Sequence, residues 1–149
     1  MSGVEIYDVE TLFNCYTHYC LDRDTLEETY FIIHKDRNDL LIYIKHLKKL
    51  KGQIGYNNLA FDGQIIQYIL NEYINWLDLQ LDGEQISKLI YDYAQYVINK
   101  MNNVGWADYP EWKMSIMQLD LFKIWHFDNK AKMTSLKWIE YMIDMHNIE

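Results

Sequence analysis

Three runs of alternating side chains occur within the first 34 residues, and they narrow the fold more than any other feature. Val4–Thr11 reads Val-Glu-Ile-Tyr-Asp-Val-Glu-Thr, and Asn14–Leu21 alternates and is rich in aromatics. Glu28–His34 repeats the pattern after a turn at Asp22-Arg23-Asp24. A period of two with β-branched and aromatic residues marks strands, and connections this short join antiparallel neighbours. The chain is therefore expected to begin as an antiparallel meander. Successive side chains of a strand point to opposite faces, which puts Asp8 and Glu10 on one face and Tyr7 and Val9 on the other. Two carboxylates at that spacing repel each other, and burying either without a cation is costly. An oxygen-only pair suits a hard divalent ion, Mg²⁺ or Mn²⁺, better than zinc. The same Asp-x-Glu pattern also describes a strand end whose charges face water.

Helical and extended patterns alternate beyond the meander. Asp36 or Asn38 is placed to cap a helix running to about Leu50, with Leu40, Leu41, Ile44, Leu47 and Leu50 as its apolar stripe. Its other face carries Lys45, His46, Lys48 and Lys49, with Lys51 just beyond, and reads as a solvated basic face. Gln53–Tyr56 reads as a short strand. Phe61 opens a helix to about Trp76, with Phe61, Ile65, Ile69 and Tyr73 at helical spacing. Asp62 falls in the first turn, where the positive end of the helix dipole favours a carboxylate. Ile86, Leu89, Ile90, Tyr93, Ala94, Val97, Ile98 and Met101 give the cleanest helical pattern, over about residues 84–102. The loop Trp106–Trp112 holds the only proline, and its aromatics are expected to anchor it to the core rather than stack on bases. Met114–Leu121 reads as a fifth strand with Asp120 near its end. Thr134 or Ser135 caps a final helix carrying Leu136, Ile139, Met142 and Ile143. The class is α/β: one domain over residues 1–149, with a mixed central sheet of about five strands flanked by helices.

With 149 residues, half of them hydrophobic, the chain can build one core. Its 14 basic and 22 acidic residues give a net charge of −8, which argues against a protein that coats DNA by neutralising phosphates. That charge is compatible with an enzyme that meets a few nucleotides through metal ions, or one that relies on another domain for grip. No apolar run reaches the length of a membrane span and the N-terminus shows no leader pattern, so a soluble, cytoplasmic protein is expected. Cys15 and Cys20 lie at an odd offset in one strand, on opposite faces, and are expected to be reduced thiols. Cys15-x-x-His18-x-Cys20 invites a zinc reading, but only His18 and Cys20 share a face and no second ligand pair follows. These residues are therefore assigned to the sheet.

Gly55-Tyr56-Asn57-Asn58-Leu59-Ala60-Phe61-Asp62 follows a strand and opens a helix. Together, Asp8-x-Glu10-Thr11 and Asn57-x-x-x-Phe61-Asp62 resemble the first two exonuclease motifs of the DnaQ-like (RNase H-like) 3′–5′ exonucleases. The likeness is nearer to the proofreading domain of family B DNA polymerases and its phage relatives. The segment His126-Phe127-Asp128-Asn129-Lys130-Ala131-Lys132-Met133-Thr134-Ser135-Leu136-Lys137-Trp138 is similar to a stretch of phage polymerase-type exonucleases. The resemblance spans nearly the whole chain in order. It implies an RNase H-like fold and, as substrate, a DNA 3′ end, single-stranded, degraded one nucleotide at a time with two Mg²⁺ or Mn²⁺ ions about 4 Å apart. It further implies that Asp8 bridges both ions, Glu10 binds the one that activates the nucleophile, and Asp62 holds the second, partly through water. Thr11 by its backbone amide and Leu12 as an apolar wedge would meet the terminal nucleotide. Asn57 would contact the substrate strand, and Phe61 would be core.

The family's third motif, Tyr-x-x-x-Asp or His-x-x-x-x-Asp, lies on a helix after the region matching Ser135–Met145 and supplies the last ligating aspartate. The sequence ends before that helix, and His126 and Asp128 stand too early in the topology to replace it. The expectation is a C-terminally incomplete domain that binds metal weakly, turns over slowly and leaves part of the sheet's apolar face uncovered. A second copy, as a homodimer, or the rest of a phage polymerase or exonuclease would complete it. The alternative is a catalytically silent module of the same fold that acts in protein or nucleic-acid interaction.

Overall fold

The computed structural model describes residues 3–127 together with Ser135 and Leu136. The meander is present as β1 (Val4–Leu12), β2 (Cys15–Asp22) and β3 (Glu28–His34), all antiparallel. A two-residue strand, β4 (Arg37–Asn38), folds back on β3. After helix α1 (Leu40–Leu47), the strand β5 (Gly52–Gly55) joins the other edge of β1 in parallel. Two long helices follow, α2 (Asp62–Asp78) and α3 (Gly83–Asn103), and then β6 (Met117–Asp120) lies parallel to β5, with a short helix α4 (Leu121–Trp125) behind it. Parallel neighbours need such crossovers, because the chain must return to the starting end of the sheet before pairing. The result is a mixed α/β sheet of six strands in the order β4-β3-β2-β1-β5-β6, flanked by helices.

The sixth strand is a correction to the expected five. Arg37–Asn38 is too short to show alternation. A neighbouring side chain holds it: the Asp39 carboxylate accepts from the Ile32 N–H at 3.0 Å and from Arg37 Nε at 2.8 Å. The helix expected from Asp36 or Asn38 to Leu50 is correspondingly shorter. Asn38 does serve its start, its side chain accepting from the Leu40 N–H at 3.1 Å. The expected strand Met114–Leu121 also shortens, because the Ser115 N–H is drawn to the Gln67 side chain at 2.7 Å and Leu121 already belongs to α4.

One face of the sheet is buried under the helices. Tyr7, Val9, Tyr16, Cys20, Phe31 and Ile33 meet Leu40, Tyr43, Ile44 and Leu47 of α1, Ile65, Ile66 and Ile69 of α2, and Ile86, Ile90, Ala94 and Val97 of α3. The helix spacing read from the sequence sets these stripes, and truncating any one of the fully buried isoleucines to alanine should cost about 2–5 kcal/mol. α3 opens with a capping box. The Asp82 side chain accepts from the Gln85 N–H at 2.9 Å, and the Gln85 side chain accepts from the Asp82 N–H at 3.0 Å. Gly83 lets α3 start hard against the end of β3, where a Cβ would stand 2.3 Å from the His34 carbonyl oxygen. The opposite face of the sheet leaves Ile6, Tyr19, Leu119 and Met117 exposed.

The tryptophans of the 106–112 loop do not anchor it, contrary to expectation: Trp106 is 66% and Trp112 81% exposed. Polar contacts hold the loop instead. Gln64 bonds both the N–H and the carbonyl of Tyr109, and Asp108 accepts from Tyr93, Tyr96 and Lys100. Among the described residues no helix is long and apolar enough to cross a membrane. The final helix expected after Thr134 or Ser135, and Asp128, lie outside the described residues.

Candidate functional site

β5 pairs with β1 only over Val4–Ile6, while β1 runs on to Leu12 with β2 on its other edge. Asp8 and Glu10 therefore lie beyond the carboxyl end of β5, the end of an open α/β sheet at which ligands are usually received. Both are exposed. The chain turns back here through residues 56–61. Asn57 takes a φ of 57°, a left-handed conformation that asparagine tolerates. Asp120, buried at the end of β6, fixes this turn. Its carboxylate accepts from the Asn57 N–H at 2.8 Å and the Leu59 N–H at 3.2 Å, and also caps α4 through the Phe122 N–H at 2.9 Å. The Gly63 N–H donates to the Asn58 carbonyl at 2.7 Å, and a Cβ on Gly63 would stand 2.9 Å from that same oxygen. The glycine thus brings the start of α2 close to the turn and sets Asp62 at the helix's first position, as the sequence indicates.

Asp62 is only 8% exposed. Burial, and then the charges of Asp8, Asp120 and Glu10, push its carboxyl up to about 8. The fold thus gathers acids from β1, the start of α2 and the end of β6 into one electrostatic neighbourhood. The sequence had singled out three of the four. Asp120 was noted only as a residue near a strand end, although an aspartate where a strand meets a helix is a capping signal. Of the other expected site residues, Thr11 is half-buried, Leu12 is 55% exposed at the end of β1, and the Asn57 side chain is exposed. Phe61 is partly buried against the core, as expected. His126 packs against Phe122 with its ring tilted and bonds the Phe122 carbonyl at 2.8 Å.

A second cluster lies on the buried face. Glu5, His18 and Cys20 place a carboxylate oxygen, Nε2 and Sγ within 4.8 Å of one another, and this group could hold a metal ion. His18 and Cys20 stand in the sheet on one face, as expected, and the structure adds that they share this group with Glu5. The missing partners come from other elements: Glu5 from β1 and His46 from α1. His46 had been placed on a solvated basic face, yet it follows Tyr43 by three residues and so shares the helix's inward side. Its Nε2 stands 2.6 Å from Glu5 Oε2 and 3.8 Å from Cys20 Sγ. His18 Nε2 stands 3.1 Å from Glu5 Oε1, and the Gln53 amide donates to that oxygen at 2.7 Å. Burial alone would raise the Glu5 carboxyl. The hydrogen bonds with His18, His46 and Gln53 outweigh it and hold the group well below the usual carboxylate range. Burial, then the Glu5 charge, push the Cys20 thiol well above its usual range.

Hydrogen bonds extend from this cluster under the sheet. Gln118 donates to Gln53 at 2.8 Å and accepts from the Tyr7 hydroxyl at 2.9 Å and the Asn58 amide at 2.7 Å. The turn that carries Asp62 is thereby joined to the Glu5 cluster by side chains alone. Compared with family models, with curated proteins and with solved structures, the chain matches none.

Proposed function

We propose that the chain is a DnaQ-like, RNase H-like 3′–5′ exonuclease domain that hydrolyses DNA phosphodiester bonds from a single-stranded 3′ end, with Mg²⁺ or Mn²⁺ held by Asp8, Glu10 and Asp62. The observation that carries this reading is the raised acid Asp62, buried within the field of Asp8, Asp120 and Glu10 at the carboxyl end of β5. The strand arrangement supports it: an antiparallel meander continued on the far side of β1 by two parallel strands is what the resemblance calls for.

The donor set is all oxygen, which fits a hard divalent ion. Such ions supply an activated water and stabilisation of the leaving 3′ oxygen. Asp62 must lose its proton before it can ligate, so a bound divalent ion would displace that proton and lower the carboxyl from its raised value. Asp120 is occupied with backbone N–H groups and positions the turn. A groove of about 440 Å³ beside that turn is lined by Leu59, Ala60, Trp106, Tyr109, Trp112 and Lys123. Its exposed tryptophans offer faces on which unpaired bases could stack. The rest of a polymerase or exonuclease, in a proofreading role, or a second copy would add the grip that a chain of net charge −8 lacks.

The second reading is a catalytically silent module of the same fold. One observation favours it: among the described residues, the acids around Asp62 do not form a group with ligand atoms within 4.8 Å of one another. Isothermal titration of Mn²⁺ into the wild type and Asp8→Ala, run beside digestion of a single-stranded DNA labelled at its 5′ end, separates the two. Asp8-dependent binding with release of mononucleotides supports the exonuclease. Binding without digestion means a real but incomplete exonuclease site. No Asp8-dependent binding overturns the exonuclease reading and leaves the silent module.

A further inference from the structure

We infer that Glu5, His18, Cys20 and His46 form a second, closed metal site for a zinc-class divalent ion, one that staples β1, β2 and α1 together. It does not rest on the exonuclease reading, for it shares no ligand with Asp8, Glu10 or Asp62.

Donor chemistry selects the ion. One thiolate, two imidazoles and one carboxylate are the ligands of borderline ions such as Zn²⁺ and Co²⁺, whereas Mg²⁺ and Ca²⁺ prefer oxygen alone. Tetrahedral zinc ligands stand roughly 3–4 Å from one another. Glu5, His18 and Cys20 already bring one ligand atom each within 4.8 Å of one another. His46 contacts the other Glu5 oxygen at 2.6 Å and Cys20 Sγ at 3.8 Å, with its ring centroid 6.4 Å from that of His18, so it joins as the fourth ligand by swinging inward.

Charge is the second argument. Glu5, His18 and Cys20 are nearly inaccessible to water, and unbalanced charge in such a place is costly. A divalent cation with one carboxylate, one thiolate and two neutral imidazoles sums to zero. On binding, the Cys20 S–H bond breaks, its electron pair forms the S–metal bond, and the proton leaves to solvent, as does any proton held between Glu5 and the histidines.

The surroundings match a built site. The Tyr43 hydroxyl lies 3.0 Å from His18 Nδ1 and is itself bonded to Tyr16 at 2.7 Å, which turns His18 Nε2 towards Glu5. An opening of about 70 Å³, lined by Glu5, Cys20 and His46 with Asp22 and Glu27, leads to the cluster and offers a cation a way in. Four protein donors leave no open position for substrate, which makes the role structural.

The test loads chelator-treated wild-type protein with Co²⁺ and then Zn²⁺. The expected result is one Co²⁺ per chain with a thiolate-to-metal charge-transfer band, displaced by Zn²⁺ and accompanied by a rise in melting temperature. Cys20→Ser should abolish the band, His46→Gln should weaken affinity by roughly tenfold or more, and Cys15→Ser should change neither. Should Cys20→Ser fail to fold, alkylation of the wild type under mild denaturant, which opens the buried thiol, decides the matter: Zn²⁺ should protect Cys20 and leave Cys15 as reactive as before. Absence of the band, its persistence in folded Cys20→Ser, or Cys20 alkylation indifferent to Zn²⁺ would each overturn the site and leave a hydrogen-bonded Glu–His cluster in its place.

Discussion

Glu5 and Asp62 are both carboxylic acids withdrawn from water, 2% and 8% exposed, yet they are driven in opposite directions. Glu5 sits among His18, His46 and Gln53 and is held ionised. Asp62 sits among Asp8, Asp120 and Glu10 and is pushed up to about 8. Burial is common to both, so it cannot be what separates them; the hydrogen bonds that Glu5 receives and the like charges that Asp62 faces are. Received hydrogen bonds favour the ionised acid, whereas like charges favour the protonated one.

The largest effect expected from breaking this contrast is at Glu5. Glu5→Ala removes the acceptor shared by His18, His46 and Gln53 and should destabilise the fold by about 3–5 kcal/mol in urea unfolding. Acid should expose the same dependence. The folded pKa of Glu5 lies below its unfolded value of 4.5, so its contribution is present above that pH and is lost as the solution is acidified below it.

Asp62 should show the reverse. Its folded pKa of about 8 lies above the unfolded value of 3.8, so its contribution is complete below the unfolded value and is lost as pH rises towards 8. The slope in that window should be at most about 1.4 kcal/mol per pH unit. Asp62→Asn should flatten the slope and stabilise the protein near neutrality, and Mn²⁺ should flatten it in the wild type. Urea titrations across the window would read both, and a slope that survives Asp62→Asn would place its origin elsewhere.

Smaller effects sharpen the comparison. Asp120→Ala leaves the N–H groups of Asn57, Leu59 and Phe122 without their acceptor and should cost about 1–3 kcal/mol. It also removes one like charge from Asp62, so the midpoint of the pH-dependent loss should fall. Tyr7→Phe deletes one hydrogen bond to Gln118 and should cost about 1 kcal/mol with no change in the Asp62 midpoint. A shifted midpoint there would mean that the buried hydrogen bonds couple the two clusters more tightly than like-charge repulsion alone.

Much of the architecture was legible in the residues. The period-two runs at Val4–Thr11, Asn14–Leu21 and Glu28–His34 became β1, β2 and β3, and the Ile86–Met101 pattern became α3 with a shift of one residue at either end. Asp62 was placed at a helix start from local signals and stands there. β4 was missed because two residues carry no period, and the Trp106–Trp112 loop was misjudged because its anchors, Gln64 and Asp108, are polar.

The sequence by itself determined which residues share a face: Asp8 with Glu10, His18 with Cys20, and Asp62 in the first turn of its helix. Those relations follow from periods of 2 and 3.6 and need no knowledge of what packs where. Only the tertiary structure decided which faces meet. Parallel pairing of β5 with β1 stops at Ile6 and leaves Asp8 and Glu10 beside the turn to Asp62. The crossover through α1 lays His46 over Glu5 and Cys20. Electrostatic environment depends on distances between residues far apart in the chain, and the burial of apolar stripes, not any local pattern, sets those distances.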